Sequence, residues 1–111
     1  MSDLPENFLR GVELFNAGKF FECHEAWEVI WLNSDGEEWE FLHAMIQAAA
    51  ALHHFQSGNL KGARSVGGRA IEKLQHCPAM MMRIDVRAFQ LAVDRFLTAA
   101  STPFPHIELK P

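Results

Sequence analysis

From Glu37 to Gln56 the chain runs without a glycine or a proline, and Trp39, Leu42, Met45, Ile46 and Leu52 fall on different sides of one helical wheel. A helix that is apolar nearly all round is stable only when other elements wrap it, so this segment predicts the central helix of a helical core. Turn-forming residues divide the rest: Pro5, Gly18, the Asn33-Ser34-Asp35-Gly36 cluster, Gly58-Asn59, Pro78 and the prolines near the end. No stretch between these marks alternates polar and apolar residues with period two. The spacing predicts five helices over about 5–17, 19–32, 37–56, 60–75 and 85–100, then a tail over 102–111 without periodicity. Phe89, Ala92, Val93, Phe96 and Ala100 form the stripe of the fifth, with Asp85 as its cap.

The fold expected is all-α, a compact bundle of about five helices in one domain over 1–111. Phe15-Asn16-Ala17-Gly18-Lys19 and Phe55-Gln56-Ser57-Gly58-Asn59 echo each other across the predicted helix junctions. Short glycine-centred connections build antiparallel hairpins, so two hairpins plus a C-terminal helix are expected, in a tetratricopeptide-like arrangement. Gly62, Gly67 and Gly68 each cost about 1 kcal/mol against alanine inside a helix, and close approach of another helix is the expected compensation.

Charge and cysteine usage exclude several functions. Fourteen acidic residues against ten basic ones, a net charge of -4, have the wrong sign for gripping phosphate backbones, so nucleic acid is not an expected partner. No apolar run reaches the ~18 residues of a membrane span, and the first ten residues lack the pattern of an export leader. A soluble, cytoplasmic protein is expected, with Cys23 and Cys77 as buried free thiols. Phosphate loops, Gly-x-Ser-x-Gly and paired di-iron motifs are absent from the sequence.

The chemistry concentrates in the second and third helices. On the wheel of the second, His24 and Glu28 fall in the middle of an aromatic face made by Phe20, Phe21, Trp27 and Trp31, with Glu25 on its border. That places an ionisable i, i+4 pair where the helix should be most apolar. On the third helix His43, Gln47, Ala50 and His54 stack along one line, although His43 is placed near a frayed helix start. If the two faces meet, His24, Glu28, Gln47 and His54 converge on one buried pocket. His24, Glu28 and His54 are then candidate ligands for a single divalent metal, and His76 and His106 are expected at the surface.

Phe20-Phe21-Glu22-Cys23-His24-Glu25-Ala26-Trp27-Glu28-Val29-Ile30-Trp31, preceded by the Asn16-Ala17-Gly18 turn, resembles the signature of small helical proteins grouped as domain of unknown function family 309. Ile46-Gln47 through His54, followed by Gly58-Asn59-Leu60-Lys61-Gly62-Ala63, resembles a second block of that family. The resemblance implies a five-helix bacterial or archaeal cytosolic protein with no assigned reaction. It also implies motif residues at His24, Glu25, Glu28, Trp31, Gln47, His54, Asn59 and Gly62.

Two functional classes fit these residues. The first is a helical binding module that offers a groove to a peptide or to a second copy, the polar cluster fixing register. The second is a small enzyme or metal-assisted hydrolase with His24 and Glu28 as acid/base or ligand pair, and with Glu25, Trp31, Gln47, His54 and Asn59 binding a small-molecule ligand. Nine phenylalanines and three tryptophans in so small a domain also predict a homodimer.

Overall fold

The computed structural model describes residues 3–99 and 103–111; Ala100 and Thr102, assigned above to the last helix and the tail, lie outside them. The chain forms five helices, α1 (Glu6–Asn16), α2 (Phe20–Trp31), α3 (Gly36–Gln56), α4 (Leu60–Gln75) and α5 (Val86–Thr98). Between α4 and α5 sits a hairpin, β1 (Met80–Met81) with β2 (Ile84–Asp85), paired antiparallel. The fold is all-α apart from this hairpin. Period-two patterning could not reveal it, because each strand is two residues long and its turn, Met82-Arg83, carries neither glycine nor asparagine. Both turn residues sit at positive φ, 47° and 63°, the backbone of a two-residue hairpin loop.

The sequence echo marks one structure used twice. At the end of α1, Lys19 N donates to Leu14 O and Gly18 N to Phe15 O; at the end of α3, Asn59 N donates to His54 O and Gly58 N to Phe55 O. Gly18 and Gly58 lie at φ 76° and 80°. These bonds form the same glycine-terminated helix stop. Gln56 Nε2 also donates to Gly18 O at 2.8 Å, tying the second junction to the first.

As the wheel requires, α3 is central: nine of its residues, from Phe41 to Leu52, are buried. Between α1 and α3 packs α2, burying Phe20, Cys23 and Trp27. Trp27 is the hub, fully buried, its ring stacked on Phe8 and Phe15 and its Nε1 donating to Phe8 O at 3.1 Å. Gly11 on α1 makes room for it, since a Cβ there would lie 2.1 Å from Trp27 Nε1. The three glycines of α4 divide. Gly67 faces Leu97 of α5, where an added Cβ would come within 2.2 Å of Leu97 Cδ1. At Gly62 it would collide with the Asn59 side chain, and at Gly68 it would meet nothing. Close approach therefore explains Gly67, a helix cap explains Gly62, and nothing in the structure explains Gly68.

The tail packs extended. Asn16 holds it in both directions: Nδ2 donates to Ile107 O at 2.9 Å, and Ile107 N donates to Oδ1 at 2.8 Å. Phe104 lies against Phe20, Phe55 and Phe96, and Pro105 and Ile107 are buried. Cys23 and Cys77 are free, buried thiols. No helix among the described residues is long and apolar enough to cross a membrane.

Candidate functional site

Seating Trp27 on Gly11 sets the rotation of α2. The buried sector of the helix is Phe20, Cys23 and Trp27, centred roughly 60° round the wheel from His24. His24 and Glu28 are therefore on the rim of that face and not at its centre. Their side chains are 32% and 46% exposed, and His24 Nε2 stands 3.7 Å from Glu28 Oε2, an ion-pair distance too long for a hydrogen bond. Trp31, expected at the middle of the inward face, is half-buried, and Glu25 is exposed.

The polar line of α3 meets this rim. Phe21 packs on His53 at 5.5 Å between centroids, and Trp31 stacks on His43 at 5.1 Å and 12°. The start of one helix thus meets the end of the other, so α2 and α3 run antiparallel. Trp39 closes a three-ring cluster with Trp31 and His43, each pair at 5.1 Å. Between these two aromatic rungs lie His24 and Glu28 on one helix and Gln47 and Ala50 on the other, all half-buried. His43 is two turns inside α3, so it is ordered by stacking and not frayed. Burial lowers its pKa from the usual imidazole value; nearby Lys73 adds to that effect and Glu40 opposes it.

Four polar atoms along this junction, His24 Nδ1, Trp31 Nε1, His43 Nδ1 and Gln47 Oε1, are sealed from solvent without a hydrogen-bond partner. An unmet buried donor or acceptor costs about 1–3 kcal/mol, and native structures hold few. Here four fall on one seam between two helices.

The predicted convergence forms only in part. His24, Glu28 and Gln47 line the same seam, whereas His54 turns to the α3–α4 junction, its Nδ1 lying 3.4 Å from Asn59 Nδ2. Asn59 itself caps α4, Oδ1 accepting from Gly62 N at 2.9 Å. That bond accounts for the Asn-x-x-Gly spacing, because only glycine leaves room for the capping amide. The metal set His24, Glu28 and His54 is not assembled: among the described residues no three His, Cys, Asp or Glu side chains are grouped so as to hold a metal ion. The physical reason is the rotation of α2, which opens the pair outward, and the capping turn, which draws His54 away. His76 and His106 are exposed, as expected.

Phe21 and His43 of this face lie on the two stripes that the wheels pick out, whereas Trp39 and His53 lie off them. The sequence carries a signal for it: between Phe20 and Leu60 stand Glu22, Glu25, Glu28, Asp35, Glu37, Glu38 and Glu40, with no lysine or arginine. Every basic residue of the chain lies elsewhere, so α2 and α3 form an acidic half. Four cavities of about 880, 330, 190 and 120 Å³ indent the surface, and their linings do not include His24, Glu28, Gln47 or His54. The seam runs about 16 Å along α2, over its eleven-residue rise.

Known proteins resemble the chain in both sequence and fold. An uncharacterized protein of Aquifex aeolicus (strain VF5) is 34% identical over 84 residues, 75% of this chain, and the chain spans only about a quarter, 25%, of that relative. The crystal structure of a conserved hypothetical protein from Thermus thermophilus matches with a TM-score of 0.74 at 33% identity, covering 86% of this chain and 99% of that one. Residues 8–66, which hold most of α1, all of α2 and α3 and the Asn59 cap, match the model of a domain of unknown function, DUF309. With that match extending over more than half of its length, the chain belongs to the DUF309 family.

Proposed function

We propose that the protein is a helical interaction module whose α2/α3 face receives a basic amphipathic helix of a partner protein. The observation that carries the reading is the row of partly exposed side chains along the seam, Phe21, His24, Glu28, Trp31 and Leu32, two of which hold polar atoms that no group of the chain satisfies. On α2, Phe21, His24, Glu28, Trp31 and Leu32 fall within a sector roughly 100° wide, the width one helix offers another. A row of partly exposed side chains running along two helices suits an added helix.

Charge supports the choice of partner. Glu25 and Glu28 flank the seam, and complementary lysines or arginines would steer encounter and fix register. A second copy in the same orientation is a poorer occupant, since two acidic faces would repel. In the Aquifex aeolicus relative the module occupies about a quarter of a longer chain, a setting in which another part of the same polypeptide lies within reach.

A helical peptide of leucine and lysine in heptad register tests the reading, with a peptide of equal composition and scrambled order as control. Backbone amide shifts on titration are expected along Phe21 to Leu32 and Trp39 to His54, with Glu25→Gln and Glu28→Gln each weakening binding and high salt abolishing it. Equal binding of the scrambled peptide, or shifts centred on α4 and α5, would refute it.

A further inference from the structure

On the other side of Trp39 from the seam, the structure holds a second feature that the interaction reading does not use. A cleft of about 880 Å³ opens between the N-terminal end of α3 and the C-terminal end of α4. Its volume lies in the range of small-molecule sites. The α3 side supplies Asp35, Glu37 and Glu40 with the Trp39 indole; the α4 side supplies Arg69 and Lys73, with Glu72 and His76 beside them. One wall is therefore acidic and the other mainly basic. They meet at a loose pair, Lys73 Nζ to Glu40 Oε2 at 3.7 Å, with side chains 33% and 58% exposed.

We infer that this cleft binds a small zwitterion with an apolar body, of the size of a free dipeptide. A primary ammonium has acceptors on the α3 wall, a carboxylate has donors on the α4 wall, and the half-buried face of Trp39 takes the side chain between them. A cation held near that indole gains from its ring face as well. Opposed walls discriminate: a molecule carrying one charge satisfies one wall and leaves the other wall's groups without a partner, whereas a zwitterion meets both. The loose Glu40–Lys73 contact fits this role, because inserting the two ligand charges exchanges one weak, solvated pair for two.

The probe is a panel of dipeptides X-Gly, with X each of the natural amino acids, and their N-acetyl and C-amide derivatives. Binding is followed by calorimetry and by the indole N–H resonance of Trp39, with buried Trp27 as internal reference. Free dipeptides with an apolar X are expected to shift Trp39 at concentrations of about 5 mM or below, and each blocked derivative to bind at least about tenfold more weakly. Glu40→Gln should abolish the penalty for acetylation, and Lys73→Gln the penalty for amidation. Both residues are exposed enough that a thermal melt should find the variants folded. No Trp39 response to any dipeptide would overturn the inference. Equal binding of blocked and free forms would also overturn it, as would a response confined to Trp31 and the seam.

Discussion

Replacing Trp27 by alanine tests the feature on which both the fold and the candidate face depend. The indole is fully buried, stacks on Phe8 and Phe15, and gives its Nε1 proton to Phe8 O at 3.1 Å. Gly11, with no Cβ, cannot fill the space it leaves. The expected loss is about 3–5 kcal/mol, the range for a large aromatic removed from a rigid core. A chain of 111 residues unfolds with an entropy of about 0.23 kcal/mol/K, so the midpoint should fall by roughly 13–21 °C. Trp31→Ala, at a half-buried ring on the rim of α2, should cost only about 1–2 kcal/mol. Trp27→Phe keeps a ring and loses the N–H, and should fall between the two. Urea melts followed by circular dichroism would measure all three. A larger loss at Trp31 than at Trp27 would show that α2 is rotated the other way, with His24 and Glu28 inside and the open seam mistaken.

Gly68→Ala should stabilise α4 by about 0.5–1 kcal/mol, because its Cβ meets nothing, while Gly67→Ala should gain less, because its Cβ must push the end of the Leu97 side chain aside; equal effects at the two sites in denaturant melts would refute the crossing at Gly67. His43 has its pKa lowered by burial in the fold, so the unfolded chain binds more protons just below the usual imidazole range. Its contribution is therefore complete above that range and is lost as pH falls through it, and His43→Gln should flatten the dependence of stability on pH between about 7.5 and 5.5. Cys23 is buried and its thiol is pushed far up by desolvation, so it should react with a thiol reagent at pH 8 only at the rate at which the core opens; prompt labelling of native protein at Cys23 would refute its burial. Asn59→Ala should cost about 1 kcal/mol through the lost cap, measured by thermal melt, and Gly62→Ala should cost less, because alanine's helix propensity offsets part of the same lost bond.

What could be read from the chain before its structure follows from which forces are local. Helix limits were legible to within one or two residues because glycine and proline act on their own backbone: Gly18 and Gly58 stop α1 and α3 where their positive φ requires. The centrality of α3 was legible too, since it needs only a count of apolar sides. The orientation of α2 was not. Its wheel holds aromatics over about a third of a turn, and which of them points inward is decided on another helix, by the notch at Gly11. His24 and Glu28, at the centre of the aromatic face on the wheel, thus come to lie on its rim. His54 and Asn59 share the motif block, yet the geometry assigns Asn59 to capping α4 and sets His54 against it. The β1–β2 hairpin depends on two residues in left-handed backbone that neither residue type announces.

The clamp between Asn16 and the tail joins residues 91 positions apart. At translation rates of about 5–20 residues per second, Ile107 is added roughly 5–18 s after Asn16. For that interval the α1–α2 junction is without its last two hydrogen bonds, and Phe20 lacks the ring of Phe104 for nearly as long. On a nascent chain the tail's contacts are therefore the last that can form. Anything that delays the tail prolongs a state in which an apolar strip at the junction end is open, and with it the time during which a nascent chain can be caught by a neighbour.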